Sequence, residues 1–195
     1  MKKLTTMLVA ACAALALLTG CGTGPAAPGT TQAQSTHNDA DVTFARGMVP
    51  HHRQAVDMAE LAAGRTENTA ILDLATRIGA AQGPEIDVMT GWLTAWGAEV
   101  PGAMSGMEGM EGMDDGGGMD GMMTPEQMGQ LEQSSGAAFD RLFLEQMTAH
   151  HTGAVEMART ELDAGADPDA LALAQTIVDT QQAEIDEMAT LLTQV

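Results

Sequence analysis

The sequence predicts an all-α protein, a four-helix bundle built from two repeated helical hairpins. Residues 44–93 recur at 143–192 with a constant offset of 99 and no gap. Matched pairs include Phe44/Phe143, Met48/Met147, His51/His150, His52/His151, Met58/Met157, Ile78/Ile177, Gln82/Gln181, Glu85/Glu184 and Met89/Met188. A repeat of this length marks an architectural duplication rather than a shared composition. Ala, Leu, Met, Glu and Gln, all good helix formers, dominate the periodic segments. Aromatics make up only 3% of the chain and tyrosine is absent. No stretch alternates as a half-buried strand would.

In chain order, the first segment reads as an export signal. Lys2 and Lys3 give a basic start and Leu4 to Leu18 an apolar run too short to span a bilayer. The run ends in Leu18-Thr19-Gly20-Cys21, which looks like a bacterial lipobox. Residues 1–20 are therefore expected to be a lipoprotein signal peptide and Cys21 the lipidated first residue of the mature chain. The protein is expected outside the cytoplasm, anchored by lipid to the outer face of the cell membrane or in the periplasm or envelope. Cys12 leaves with the signal and lipid consumes Cys21, so the folded part has no thiol for disulfides or cysteine metal sites. Loss of Lys2 and Lys3 leaves 6 basic against 27 acidic residues, a formal charge of −21. That charge disfavours nucleic acid and anionic membrane surfaces as partners and attracts cations.

Residues 21–40 form an expected flexible tether rich in Gly, Pro, Thr and Gln, with His37 a bystander in it. The folded part is expected at 41–195, with repeat one at 41–96 and repeat two at 135–195. The first helix of each hairpin is expected at about 41–63 and 135–163. The second is expected at about 69–95 and 168–192. Gly64 and Gly165 lie at the helix ends where a left-handed residue is common. Asp167-Pro168 pairs a cap residue with a first-turn proline. Pro50 and Pro84 stand where the second copy has Ala149 and Ala183, so a kink or restart is expected near His51 and near Glu85. Between the copies, 101–124 has no apolar period and is expected to be a mobile loop. It carries Met104, Met107, Met110, Met113, Met119, Met122 and Met123 among Gly, Asp and Glu.

The residues able to carry chemistry fall on helix faces. Met48, His51, Ala55 and Met58 share one face, as do Met147, His150, Ala154 and Met157. His52 and His151 lie about 100° to the side. The second helices present Gln82, Glu85 and Met89, and Gln181, Glu184 and Met188, toward the same seam. Neutral imidazoles and thioethers are competent metal ligands, and thioethers favour Cu(I). The plain alternative is a core filled by Met, with each His paired to a carboxylate. The paired histidines, repeated with methionines at matching offsets, favour a metal. In the loop, Met104, Met107, Met110 and Met113 recur every third residue, a spacing that packing does not explain. Several thioethers there could gather round Cu(I) or Ag(I).

The pattern Phe44, Met48, Pro50-His51-His52, Ala55-Val56, Met58-Ala59, Leu74-Ala75, Ile78, Gln82, Glu85-Ile86, Met89 resembles the domain-of-unknown-function family 305. The resemblance covers about 44–94 and again 139–193. It implies a ferritin-like bundle, export, and in some members copper binding through His and Met. Carried over, it implies Met48, His51, His52, Met58 and Met89, and Met147, His150, His151, Met157 and Met188. With Glu85, Glu184 and the loop methionines, these are the candidate metal ligands; no catalytic residue is expected. The expected function is binding of copper (Cu(I) favoured, also Cu(II) or Ag(I)) for sequestration, tolerance or transfer to a copper-handling partner, without enzymatic activity. The alternatives are a structural or stress module of the cell envelope and a di-metal oxidase. The oxidase lacks its Glu-x-x-His spacing.

Overall fold

The computed structural model describes residues 37–102 and 121–195. Five helices lie among them: α1 (Asp39–Leu61), α2 (Thr69–Trp96), α3 (Pro125–Gln133), α4 (Ala137–Ala164) and α5 (Pro168–Leu192). The all-α expectation holds. The signal segment, Cys21, most of the tether and Met104, Met107, Met110, Met113 and Met119 lie outside the described residues. None of the described helices is long and apolar enough to cross a membrane.

Local chemistry starts the helices. The Asn38 side chain accepts from the Ala40 and Asp41 N–H groups at 2.7 and 3.2 Å, while its own N–H donates to Asp41 at 2.6 Å. This capping box satisfies donors that the first turn leaves free. Asp167 caps α5 from the residue before Pro168, as the sequence suggests. Helix α3 was not expected, although Thr124, Pro125 and Gln127 form a capping box with Pro in the first turn. Its buried Leu131 packs into the core beside α4.

Two expectations are corrected, a helix restart at the prolines and a left-handed Gly165. Both α1 and α2 run unbroken through Pro50 and Pro84, so neither helix restarts. Proline removes one backbone hydrogen bond, and that loss ends neither helix, whether the ring is buried as at Pro50 or exposed as at Pro84. Gly165 is extended (φ −67°, ψ 163°) rather than left-handed. Gly64 is left-handed, at φ 91°, and so is Gly97 at the end of α2, at φ 71°.

Hairpins α1–α2 and α4–α5 join mainly along α1 and α4, which run antiparallel. Asn38 Nδ2 donates to Ala164 O at 2.9 Å at one end, and Gly136 N donates to Arg65 O at 2.7 Å at the other. On the surface Arg77 bridges α2 to Glu187 of α5 at 2.7 Å; such half-exposed pairs contribute little. The core divides into two apolar clusters. One holds Ala55, Met58, Leu74, Ile78, Phe139, Phe143, Met147 and Met188. The other holds Phe44, Met48, Met89, Leu93, Ala154, Ala158 and Ile177. Along α1 the gap between them is residues 50–54, and along α4 it is 148–153.

Candidate metal centre

That gap is a polar waist. His51, His52, His150 and His151 are all fully buried in it, and Gln82 and Gln181 are buried at 2% and 3% exposure. His51 meets its own repeat equivalent: the rings of His51 and His150 are 3.8 Å apart, tilted by 46°. His52 and His151 turn away from this contact. His52 Nε2 lies 2.7 Å from Glu85 Oε2 and His151 Nε2 lies 2.8 Å from Glu184 Oε2. The side position of these two histidines on the helical wheel decides the split, since they face α2 and α5 while His51 and His150 face each other. The two carboxylates keep 17% and 14% exposure and connect the waist to solvent.

The electrostatics hold His150 neutral. Burial pushes His150 well below the ordinary imidazole range, and the nearby His51, His151 and His52 push it further, against a weak opposing contact from the His51 main chain. Neither ring nitrogen of His150 reaches a hydrogen-bond partner of good geometry. The same holds for Nδ1 of His52 and His151, both amide atoms of Gln82 and Oε1 of Gln181. Each buried unmet polar atom costs about 1–3 kcal/mol. So many of them in one layer suits a site that supplies their partners from outside the protein. Gln82 and Gln181 were legible on the inward faces of the second helices but carry no obvious metal signature.

The candidate thioethers fall as one trio in each apolar cluster, and Met123 and the partly buried Met128 join the cluster of Met58. Met48 and Met89 share their apolar cluster with the half-buried Met157. Met147 and Met188 share theirs with Met58. Each trio takes two methionines from one repeat and one from the other. Met157 is more exposed than its equivalent Met58, so the halves are not identical. Thr148 Oγ1, which donates to Leu144 O at 2.7 Å, lies 3.7 Å from Met188 Sδ. Among the described residues no three His, Asp or Glu side chains form a group that could hold a metal ion. The donor set therefore offers two central nitrogens with sulfur on either side, not an oxygen-rich cage. Few, soft donors suit Cu(I) or Ag(I) better than Mg²⁺ or Ca²⁺.

Both ends of the methionine-bearing segment are fixed beside the waist. Arg53 Nη1 donates to Pro101 O at 2.8 Å and to Gly102 O at 3.2 Å. The next residue, Gln54, donates to Met123 O at 2.8 Å and accepts from Met123 N at 2.6 Å. Of the loop methionines described, Met123 is buried against the core and Met122 is half-buried. Gly121 crosses α4 so closely that a Cβ there would stand 2.7 Å from Ala149 O and 3.0 Å from His150 O, and its φ is +87°. Gly121→Ala is expected to cost about 1–3 kcal/mol from backbone strain alone. Denaturant unfolding measures this, and an unchanged midpoint would show that the crossing is loose.

The comparisons agree with this architecture. The family described as "Domain of unknown function (DUF305)" matches residues 41–192. No protein of curated function matches the sequence significantly. A DUF305 protein of Streptomyces coelicolor, predicted to be secreted, is 34% identical with a TM-score of 0.70, over 80% of this chain and 93% of its own. A DUF305 fragment from Deinococcus radiodurans is 30% identical with a TM-score of 0.70, over 82% and 99%. CopM in its Cu(II)-bound form is 32% identical with a TM-score of 0.66, over 79% and 96%. CopM has also been solved with Cu(I) and with Ag, at 29% identity to this chain in each case.

Proposed function

The chain belongs to the DUF305 family, and from that membership we propose that it is an exported, lipid-anchored protein that binds copper and is not an enzyme. The observation that carries the reading is the buried His51–His150 contact between two methionine-bearing clusters. Metal-bound forms of CopM, a relative at about a third identity, support copper as the ion. The export pattern ending at Cys21, the predicted secretion of the Streptomyces relative and the formal charge of −19 support a cation-collecting role outside the cytoplasm.

In this reading His51 and His150 hold the ion at the waist, with His52 and His151 beside them. Met48, Met89 and Met157, and Met147, Met188 and Met58, offer soft donors on either side. Glu85 and Glu184 orient His52 and His151 and stabilise positive charge, the usual role of a carboxylate behind a ligating imidazole. Met104, Met107, Met110, Met113, Met119, Met122 and Met123 would collect Cu(I) or Ag(I) and pass it to the waist, for sequestration or hand-over to a partner. Glu85→Gln with Glu184→Gln is expected to weaken binding about 10–100-fold.

The test is a Cu(I) titration of metal-stripped residues 22–195 under reductant against a competing chelator, alongside a variant lacking 103–120. Saturable competition by both proteins assigns the ion to the helices. Competition by the full chain alone assigns it to the methionine segment. No competition by either overturns the reading. A second reading rests on the His52–Glu85 and His151–Glu184 hydrogen bonds. They would serve an envelope module with a purely structural polar waist, and its thermal midpoint would then ignore added metal.

A further inference from the structure

Away from the waist, where α1 begins, three acidic side chains are buried together. Asp41, Glu161 and Asp167 are 0%, 1% and 8% exposed. Asp41 is fully supplied with donors. Its Oδ1 accepts from Ala166 N at 3.0 Å and Asp167 N at 2.9 Å. Its Oδ2 accepts from Ala166 N at 3.2 Å and Asn38 N at 2.6 Å. Burial raises its pKa, but these N–H groups and Glu161 outweigh burial and hold it below the ordinary carboxyl value. It is an ionised carboxylate that ties the start of α1 to the α4–α5 turn.

Glu161 is the opposite case. Neither of its oxygens reaches an N–H or hydroxyl donor. Its neighbours are Asp41 from α1 and Asp167 from the start of α5, with no cationic side chain among the groups that set its charge. Two bare carboxylates cannot share a buried space cheaply, and one proton turns the Glu161 carboxyl into a donor for Asp41. Gly165 leaves room for it, because a Cβ there would overlap the Glu161 carboxyl.

The repeat supplies an internal control. The residues equivalent to Asp41, Glu161 and Asp167 at the other end of the fold are Asp140, Ala62 and Asn68. There Asn68 Nδ2 donates to Asp140 Oδ2 at 3.3 Å. One joint is closed by an amide that never titrates, and the other by a carboxylic acid that does.

We propose that Asp41 and Glu161 form a proton-held latch that fastens the start of α1 to the α4–α5 turn and loosens as the surroundings turn alkaline. Burial, then Asp41 and Asp167, push Glu161 up to about 8 from its ordinary value of 4.5. Between those values the folded chain holds a proton that the unfolded chain has lost. The latch's contribution is therefore complete below the unfolded value, drains as pH rises and is gone above about pH 8.

The experiment follows thermal midpoints of residues 22–195 from about pH 5 to about pH 9.5 for the natural chain, Glu161→Gln and Glu161→Ala. Amide exchange at Ala166 and Asp167 is followed in the same samples. The Gln variant keeps a donor toward Asp41 and removes the titration. The natural chain is expected to lose several degrees relative to Glu161→Gln across this range, with the difference inflecting near pH 8. The two amides, corrected for intrinsic base catalysis, should lose protection only in the natural chain. Equal pH slopes in the natural chain and in whichever variant folds would overturn the latch. Millimolar Ca²⁺ restoring the natural chain's midpoint at about pH 9 would also overturn it, making the joint a cation site.

Discussion

Changing His51 and His150 together to Leu is expected to lower the copper affinity of the helices by at least about 1,000-fold, ~4 kcal/mol. The expectation follows from the waist's donor set. Among the described residues no three His, Asp or Glu side chains form a group that could hold a metal ion, and His51 and His150 bring their rings within 3.8 Å of each other across the seam. Leu, rather than Ala, keeps the volume filled and avoids confusing lost binding with a cavity. Removing both polar partners of a buried contact costs little, so the variant should stay folded. Isothermal titration in the absence of residues 103–120 isolates the helices. Undiminished affinity would place the ion on sulfur alone and leave the histidines as structural.

Replacing Met48, Met89, Met157, Met58, Met147 and Met188 with Leu is expected to separate packing from ligation. Leu and Met are close in volume, and each swap usually costs under about 1.5 kcal/mol. If the trios only fill space, the six-fold variant unfolds somewhat earlier and binds Cu(I) unchanged. If they ligate, Cu(I) affinity falls by at least about 100-fold, ~2.7 kcal/mol. Cu(II), which prefers nitrogen and oxygen donors, should be weakened far less. An equal loss for both oxidation states would point to a distorted waist instead.

Much of this architecture is legible in the amino-acid sequence. The offset of 99 located both hairpins, and Asp167-Pro168 marked a helix start where one occurs. The helical face of Met48, His51 and Met58 is buried as its period implies. What periodicity cannot express is which neighbour a buried polar group meets. Nothing in the spacing of His51 and His52 says that one would touch its repeat equivalent while the other binds Glu85. Arg53 and Gln54 look like ordinary surface residues until the chain at 101–102 and 123 returns to them. The position of Gly165 at a helix end suggests a left-handed turn, whereas its need is space for Glu161. Pro50 suggested a break because a local rule ignores the helices packed around it.

The meeting of His51 with His150 has a consequence for assembly. A chain holding one hairpin could complete that contact only by finding a second copy and docking the same face against itself, as an isologous dimer does. Its centre would then exist in proportion to protein concentration and dissolve on dilution. Covalent tandem linkage makes completion intramolecular, so the centre persists even where the protein is sparse. Linkage also releases the halves from identity. One can keep an amide where the other acquires an acid, a divergence that a symmetric pair of identical chains could never express.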